Sequence, residues 1–591
     1  MGGVLGRGRP QRRLTSAPSA GFGRLPPVPA ETLPGRLLLK PRALGVLLAV
    51  LAFQQSTMPT LMAREWYLQG VVSGLAVGVS YGIGSLLMRL VGAVNRTLDV
   101  HPRPLTANER FWIRALFAAV LLVLVALTTH QAVRQHRWTA ERLGLDPTSG
   151  PAATWLQTAG ILVVTVLVAA VVVLLARGVS WLRHSVTWLG ARVMPRWLSA
   201  ALATVLVLWV VAYAAQSWVY AGTLRALNEA FTVADGQIAE EHPQPESEHR
   251  SGGPASAVEW EELGVEGRRF VAEGPSVPEI VALGQPGADV VEPVRAFVGR
   301  RSESDVGRRG QLAVEELERL GGLERDAVLV VVPTGKGWVN EQMVQPLEHL
   351  LHGDVATVSM QYSHLPSPLA FLAETEAAVD AGQALVAAVE ERLADLPAQD
   401  RPRLLVAGES LGAYGASAAF VDFDDLHART DGSLWVGSPS MTDLRRLAEE
   451  QRAPGSLQIR PELADHPEVL FANRASDLSV HPDATPPQTV FLQQADDAIV
   501  WWDWSVLWSR PDWLAEPLDP SVNPAMEWYP MTTFLNLAID MAVSTTFAEE
   551  QGHMYGTQPT RAWWAMLRPQ GWDEADLEPL LAEMAEIERP R

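Results

Sequence analysis

Residues 404–412 have the sequence Leu-Leu-Val-Ala-Gly-Glu-Ser-Leu-Gly, and this stretch decides the fold of the C-terminal half of the chain. A short apolar run typical of a buried strand leads directly into G-x-S-x-G, and the small residues after it favour a helix. In that context the pattern is a nucleophile elbow, a sharp turn that presents the hydroxyl of Ser410 above a sheet. Gly408 and Gly412 are required because side chains two positions either side of the serine would collide. The stretch therefore predicts a nucleophilic serine.

Short apolar runs alternate with amphipathic helical patterns on both sides of this stretch. The β-like runs are residues 268–272, 294–298, 327–332, 355–362, 404–407, 434–436, 469–472 and 489–492. Helical patterns between them include residues 312–320 and 369–396. Short strands separated by helices predict an α/β domain with a mostly parallel sheet of about eight strands and helices on both faces.

A serine nucleophile needs a base and an acid, and after an elbow these follow in the order Ser, acid, His. Of the four histidines after Ser410, His553 is the one that lies beyond a good acid with chain between them. Asp497 is the favoured acid because it follows a predicted strand and leads into an apolar Ile-Val pair, and Asp496 beside it is an alternative. Asp477 is a third candidate, because it follows the seventh predicted strand, where the acid conventionally lies.

An oxyanion hole needs one backbone N–H from the residue after the nucleophile and a second from the loop after strand three. The first donor is predicted to be Leu411, and the second lies at Thr334, Gly335 or Lys336 in the loop 333–338. The pair Gly335-Lys336 resembles part of a phosphate-binding loop, but the G-x-x-x-x-G-K-[ST] spacing is absent. Nucleotide binding is therefore not expected.

Five tryptophans fall within residues 501–513. Core packing is one explanation. The other is a surface near the site or the bilayer, because indole rings suit an apolar surface that meets water. We expect Trp338, Trp501 and Trp502 to contact the substrate.

Charge is divided unevenly along the chain. Residues 1–220 carry 21 Lys and Arg against 6 Asp and Glu, whereas residues 221–591 carry 26 against 61. Such asymmetry indicates two different environments, and the acidic half offers no basic face for nucleic acid. The chain has no cysteine, which excludes disulfides, Cys-ligated zinc and a catalytic thiol. No metal and no cofactor are expected.

Five apolar stretches in the basic half approach or exceed the roughly 20 residues that a helix needs to cross a bilayer. They are residues 43–62, 66–94, 111–130, 155–177 and 198–221. A shorter stretch, residues 181–193, carries cations and predicts an interfacial helix between the fourth and fifth spans. Few ionisable groups lie within the spans, so the membrane half is expected to be an anchor rather than a transporter.

The cations of the basic half predict its orientation. The N-terminal tail and the connections from span two to three and from four to five together hold 17 Lys and Arg, whereas the other two connections hold 4. Because positive loops stay in the cytoplasm, the tail is expected there. An odd number of spans then places the acidic C-terminal half outside the cytoplasm.

Four motifs together resemble a bacterial family of membrane-anchored α/β-hydrolases. They are Thr-Gly-Lys-Gly-Trp at 334–338, Gly-Glu-Ser-Leu-Gly at 408–412, Asp-Ala-Ile-Val-Trp-Trp at 497–502 and Gly-His-Met-Tyr at 552–555. The resemblance covers residues 40–570 and implies a multi-span membrane domain followed by an α/β-hydrolase catalytic domain. In that family the acid segment usually resembles S-D-P-V-V-W-W and the histidine segment G-H-G-H, and this chain departs from both.

We therefore expect a disordered basic cytoplasmic tail over residues 1–41, a membrane domain over 42–221, a linker over 222–266 and an α/β-hydrolase domain over 267–591. The expected function is that of a serine esterase or lipase in a bacterial cell membrane, acting on envelope lipids or acylated glycans. The alternatives are an envelope acyltransferase with the same triad and a non-catalytic binding or scaffold protein with a degenerate hydrolase domain. The expected partners are the lipid bilayer and an acyl ester, without nucleic acid or nucleotide.

Overall fold

The described part of the N-terminal half consists of helices. A computed structural model describes residues 43–98, 106–142, 151–237, 242–285, 287–479 and 485–587, so the predicted tail 1–41 lies outside the described residues. The helices of this half are α1 Ala43–Ser56, α2 Trp66–Thr97, α3 Ala107–Arg142, α4 Pro151–Gly190, α5 Arg196–Ala214 and α6 Ala221–Asp235. A π-helical turn, Ala215–Tyr220, joins α5 to α6, and together they form one continuous 40-residue helix.

Four of the helical segments between residues 66 and 235 are long and apolar enough to cross a membrane. The first predicted span, residues 43–62, is corrected by the structure, because its helix α1 has 14 residues. A helix of that length rises about 21 Å, less than the hydrocarbon core of roughly 30 Å. Residues 57–62 leave the helix and are buried instead. The interfacial helix predicted over residues 181–193 is not a separate helix, because α4 continues unbroken to Gly190.

A line of glycines allows α2 and α4 to approach closely. Gly70, Gly74 and Gly78 of α2 face three valines of α4 that are also four residues apart. A Cβ atom at these glycines would lie 2.6, 2.5 and 2.8 Å from the Cβ atoms of Val164, Val168 and Val172, so larger residues do not fit. Small residues at this spacing are typical of helix pairs in membranes, where close backbone packing drives association.

The C-terminal half contains a sheet of seven parallel strands with the order β1-β3-β2-β4-β5-β7-β6. The strands are β1 Val294–Val298, β2 Ala327–Val332, β3 Val355–Met360, β4 Arg403–Glu409, β5 Gly432–Val436, β6 Val469–Ala472 and β7 Thr489–Leu492. Every residue of β2 is buried, and alternate residues of a strand face opposite sides, so both faces of the sheet are covered. The predicted α/β fold is therefore confirmed.

Helices precede the first strand, lie between strands and follow the last strand. They are α7 Gly264–Glu273, α8 Val277–Leu283, α9 Val306–Arg319, α10 Glu341–Leu350, α11 Ser367–Ala373, α12 Thr375–Ala394, α13 Leu411–Ser417, α14 Phe423–Arg429, α15 Asp443–Gln451, α16 Ala498–Trp501, α17 Asp512–Ala515, α18 Thr532–Met541, α19 Gln558–Leu567 and α20 Leu577–Ala585. The single helical pattern predicted over residues 369–396 is divided between α11 and α12.

Two predictions for the region before β1 are wrong. Residues 268–272, predicted as a strand, lie in α7, where the Phe270 ring packs 6.1 Å from the ring of Phe297 in β1. Periodicity does not separate a strand from a buried helical turn in so short an apolar run. The predicted linker 222–266 is folded where it is described, because α6 occupies its first part and Trp260 and Leu263 are buried in the core.

The order of the last strands in the sheet determines which loops lie near the elbow. β7 pairs with β5 on one side and with β6 on the other, so β6 is an edge strand. Neighbouring strands are about 4.8 Å apart, which places β7 roughly 10 Å and β6 roughly 14 Å from β4, the strand of the elbow. A side chain that follows β7 is therefore closer to Ser410 than one that follows β6.

Candidate active site

Ser410 occupies a strained turn between β4 and α13. Its φ of 55° and ψ of −122° lie in a region that non-glycine residues rarely adopt. The amide of Ser410 donates to the carbonyl of Val436 at 2.8 Å, which ties the turn to the end of β5. A Cβ atom at Gly412 would lie 2.2 Å from the Val332 carbonyl oxygen, and one at Gly408 would lie 2.5 Å from the Gly412 backbone. Glycine is thus required at both positions.

The carboxylate of Asp497 is fully buried and accepts three hydrogen bonds. Asp497 caps the N-terminus of α16, where its Oδ1 accepts from the Ile499 amide at 2.9 Å. Its Oδ2 lies 2.6 Å from Nδ1 of His553 and accepts from the Tyr555 hydroxyl at 2.8 Å. The carboxylate therefore holds the imidazole through Nδ1, which leaves Nε2 as the nitrogen for proton transfer.

The end of β5 contacts both the serine turn and the histidine ring. Gly437 directly follows this strand, and a Cβ atom there would lie 2.3 Å from Cε1 of His553. The preceding residue, Val436, accepts the hydrogen bond from the Ser410 amide at 2.8 Å. Ser410 and His553 thus approach adjacent residues of one strand end, and Asp497 approaches from the loop after β7.

The other two candidate acids have different partners. Asp496 Oδ1 accepts from the Gly552 amide at 3.2 Å, so this carboxylate supports the histidine loop through its backbone. Asp477 Oδ1 lies 2.7 Å from Nη1 of Arg460, and its Oδ2 accepts from the Asn473 and Arg474 amides at 3.0 and 3.2 Å. These contacts belong to the turn after β6. Counting strands along the chain favours Asp477. In the sheet, however, β7 lies between β5 and β6, so the loop that carries Asp477 follows the edge strand.

Tyr555 has a position that the sequence did not indicate. It is fully buried, and its hydroxyl accepts from the Gln494 amide at 3.1 Å while it donates to Asp497. Burial, and then the neighbouring carboxylate of Asp497, raise the pKa of Tyr555 well above 10.0. The hydroxyl therefore stays a donor and fixes the carboxylate. The one sequence signal for a role of Tyr555 is its position in the Gly-His-Met-Tyr motif, two residues after His553.

The loop after β2 narrows the choice of the second oxyanion donor. The Thr334 amide donates to the Trp338 carbonyl at 2.9 Å, so the prediction of Thr334 as an oxyanion donor is corrected. The amides of Gly337 and Trp338 both donate to the Thr334 carbonyl, at 2.9 and 3.2 Å. Gly335 and Lys336 are the candidates left within the predicted segment. The first predicted donor, Leu411, is the first residue of α13 and belongs to the elbow itself.

The predicted substrate-contacting tryptophans lie in different environments. Trp501 is 2% exposed, packs 5.6 Å from the Trp513 ring and donates its indole N–H to the Gln494 carbonyl at 3.0 Å. It is a core residue, so its prediction as a substrate contact is corrected. Trp338 and Trp502 are half-buried. Trp502 packs 5.1 Å from the Phe534 ring.

One group of side chains among the described residues has ligands spaced for a metal ion. The ligand atoms of His427, His466 and Glu468 all lie within 4.8 Å of one another. His427 Nδ1 lies 3.0 Å from Glu468, and its Nε2 lies 3.0 Å from the hydroxyl of Thr489, the first residue of β7. The group is therefore at the amino-terminal edge of the sheet, opposite Ser410, and does not contribute to the candidate active site.

Comparison with known families gives two matches that cover most of the chain. The model of the Alpha/beta-hydrolase family matches residues 294–580. The model of the Alpha/beta-hydrolase family N-terminus matches residues 58–275. Neither a curated protein nor a solved structure matches the chain.

Tyr555→Phe should change how stability depends on pH. The pKa of the folded Tyr555 lies above that of the unfolded chain, which is 10.0. Above about pH 10 the unfolded state loses this proton first, so the free energy of unfolding falls by up to ~1.4 kcal/mol per pH unit. The variant lacks this contribution. Melting curves of the purified full chain at about pH 8 and pH 11 should show the wild type losing its advantage over the variant at the higher pH. A stability difference that stays constant between the two pH values would contradict the account.

Proposed function

Because the chain belongs to the Alpha/beta-hydrolase family, we propose that it is a serine hydrolase with the catalytic triad Ser410, His553 and Asp497. The observation that carries the proposal is the buried 2.6 Å contact between His553 Nδ1 and Asp497, which the φ of 55° at Ser410 supports. A strained serine and a histidine oriented by a buried carboxylate are the parts that nucleophilic acyl transfer requires. The non-catalytic alternative gives no reason to retain all of them.

The proposed reaction begins with attack of Ser410 Oγ on an ester carbonyl carbon. Nε2 of His553 accepts the serine proton, and Asp497 holds the tautomer and stabilises the imidazolium. The tetrahedral oxyanion accepts hydrogen bonds from Leu411 N–H and from an amide at Gly335 or Lys336. The imidazolium then protonates the leaving alcohol, which leaves the acyl group on the serine. A water molecule activated by the same histidine releases the acid.

The proposed substrate is an acyl ester of a membrane lipid or an acylated envelope glycan. The membrane-spanning helices support this class, because they hold the catalytic domain at a surface rich in such esters. Trp504 and Trp508 support it too, since they are 61% and 65% exposed and indole rings favour the membrane–water interface. An acyltransferase would use the same acyl-enzyme with an alcohol in place of water.

The proposed location of the catalytic domain is outside the cytoplasm of a bacterial cell membrane. The four long helices between residues 66 and 235 cross an even number of times, so residues 57–65 and the catalytic domain lie on one side. The connections on the other side, between α2 and α3 and between α4 and α5, are the ones rich in arginine. With α1 too short to cross, four crossings no longer place the predicted tail 1–41 opposite the catalytic domain, so a cytoplasmic tail is not proposed. The proposed catalytic domain is residues 267–591.

Ser410→Ala should abolish hydrolysis of a short acyl ester by the purified full chain. Loss of a triad nucleophile leaves only the contribution of the oxyanion hole and costs roughly 10⁶-fold in kcat. Ser417→Ala is the matched control, because Ser417 lies on the same helix and bonds the Tyr414 carbonyl. The control should keep activity within about threefold. Retained turnover by a folded Ser410→Ala protein would reject the proposed nucleophile.

Asp497→Asn should reduce activity far more than Asp477→Asn. Asparagine at the acid position favours the wrong imidazole tautomer, and the comparable change in a serine protease costs about 10⁴-fold in kcat. Asp477 contacts a turn and Arg460, so its replacement should cost less than about tenfold. Initial rates of ester hydrolysis, compared between variants with equal melting temperatures, test this. A larger loss of activity in Asp477→Asn than in Asp497→Asn would identify Asp477, in the loop after β6, as the catalytic acid.

Labelling of single introduced cysteines should show on which side of the membrane the catalytic domain lies, because the chain contains no cysteine of its own. Glu315 in α9 and Asn108 near the start of α3 are both exposed. In intact bacterial cells, a membrane-impermeant maleimide should label Glu315→Cys, and should label Asn108→Cys only after lysis. The opposite pattern would invert the orientation. Equal labelling of both before lysis would contradict the three crossings between residues 108 and 315.

A further inference from the structure

The segment between α1 and α2, residues 57–64, is part of the membrane half but packs into the catalytic half. Thr60, Leu61 and Met62 are each 5% exposed. Leu61 and Met62 belong to a hydrophobic cluster that also contains residues of the acid loop, among them Ala498 and Val500. Residues 57–62 belong to the stretch 43–62 that is predicted to span the membrane, so their burial against the catalytic half needs an explanation.

The segment encloses one carboxylate of the catalytic half, that of Asp540 in α18. Asp540 is fully buried, and Nη2 of Arg64 lies 3.2 Å from its Oδ1. The hydroxyl of Thr60 donates to its Oδ2, and the amides of Leu61 and Met62 also donate to it. A buried carboxylate is stable only when paired and hydrogen-bonded, so these contacts fix the segment and the end of α18 against each other.

The same segment contacts the other end of the histidine loop. A Cβ atom at Gly552 would lie 2.7 Å from Met62 Sδ, so the methionine packs directly on the residue before His553. The Gly552 amide donates to Asp496 at 3.2 Å. A small cavity of about 20 Å³ lies between these groups, lined by residues 60–63 together with Asp496 and Gln551.

The chain between these two contacts leads directly into His553, the proposed catalytic base. Asp540 lies at the end of α18, and the loop that follows closes on itself where the His553 amide donates to the Ser544 carbonyl at 2.9 Å. The loop is thus held by the segment 57–64 near its start, through Asp540, and near its end, through Gly552. Both contacts act on the backbone that sets the position of the imidazole.

We infer that residues 57–64 of the membrane half position the His553 loop, so that the hydrolase is active only with this segment in place. The inference rests on the proposed function. Arg64, Thr60 and Met62 are positioning residues, because they contact the loop and its anchor rather than the reacting atoms. A misplacement of a catalytic group by about 1 Å can cost about 10²-fold in rate. Release of the segment would therefore reduce turnover without removing a triad residue.

Asp540→Asn in the full chain tests the inference, because it keeps the size of the side chain and removes the charge that pairs with Arg64. We expect kcat for a short ester to fall by about 10- to 100-fold, with KM within about threefold. The pH profile of kcat/KM should also shift, because a displaced imidazole loses part of its contact with Asp497. Glu348→Gln is the matched control. Glu348 pairs with Arg295 at 2.8 Å in an equally buried ion pair at β1, and its variant should keep kcat and the pH profile.

A second set of variants keeps the test decisive if Asp540→Asn does not fold. Met62→Ala leaves the ion pair intact and should lower kcat through the contact with Gly552. Arg64→Lys retains the charge and should recover most of the kcat that Arg64→Met loses. Wild-type kcat and an unchanged pH profile in folded Asp540→Asn or Met62→Ala would overturn this inference but leave the proposed function in place. An inactive wild type would reject the proposed function itself, and with it this inference.

Discussion

The buried carboxylate of Asp497 is the constraint on which the rest of the candidate site depends. A fully buried carboxylate must have its oxygens satisfied by donors. Here the donors are His553, Tyr555 and the Ile499 amide. His553 and Tyr555 come from one loop and Ile499 comes from α16, so one carboxylate fixes the histidine loop and the start of α16. The carboxylate reaches this place because β7 lies next to β5.

Much of the C-terminal half could be predicted from local sequence. β1, β2, β6 and β7 have the predicted bounds, because each is a short apolar run between polar or glycine-containing segments. The elbow was predictable because its whole pattern, a strand followed by G-x-S-x-G and small residues, is contiguous in sequence, although the contact that requires Gly412 is with the distant Val332. The order of β6 and β7 was not, because lateral order in a parallel sheet depends on contacts far apart in sequence. The order of these two strands decides whether Asp497 or Asp477 lies near Ser410.

The errors share a physical cause. Residues 268–272 and 57–62 contain apolar side chains whose environment comes from distant parts of the chain, namely Phe297 for the first and Asp540 for the second. Hydrophobicity shows that a run is buried, but it does not identify the partner. Thr334 and Trp501 were misassigned for a related reason. Their polar groups are already used, in a turn and in the core, and such pairing is visible only in three dimensions.

The two halves of the chain are joined by more than the helix that connects them. The ion pair between Arg64 and Asp540 is buried, and breaking such a pair is costly because it leaves a charge without a partner. The contact reaches the histidine loop, so the membrane half contributes to the shape of the candidate active site. A membrane anchor in this account is also a structural support for catalysis.

The central claim is that Ser410 is a nucleophile activated by His553, and covalent labelling tests it most directly. The purified full chain would be treated with a fluorophosphonate probe, digested with trypsin and analysed by mass spectrometry. The peptide over residues 404–429 carries both Ser410 and Ser417, and fragmentation distinguishes the two. The account predicts one adduct, on Ser410, that is lost when the protein is unfolded before labelling. A folded protein without an adduct, or with its adduct on another residue, would contradict it.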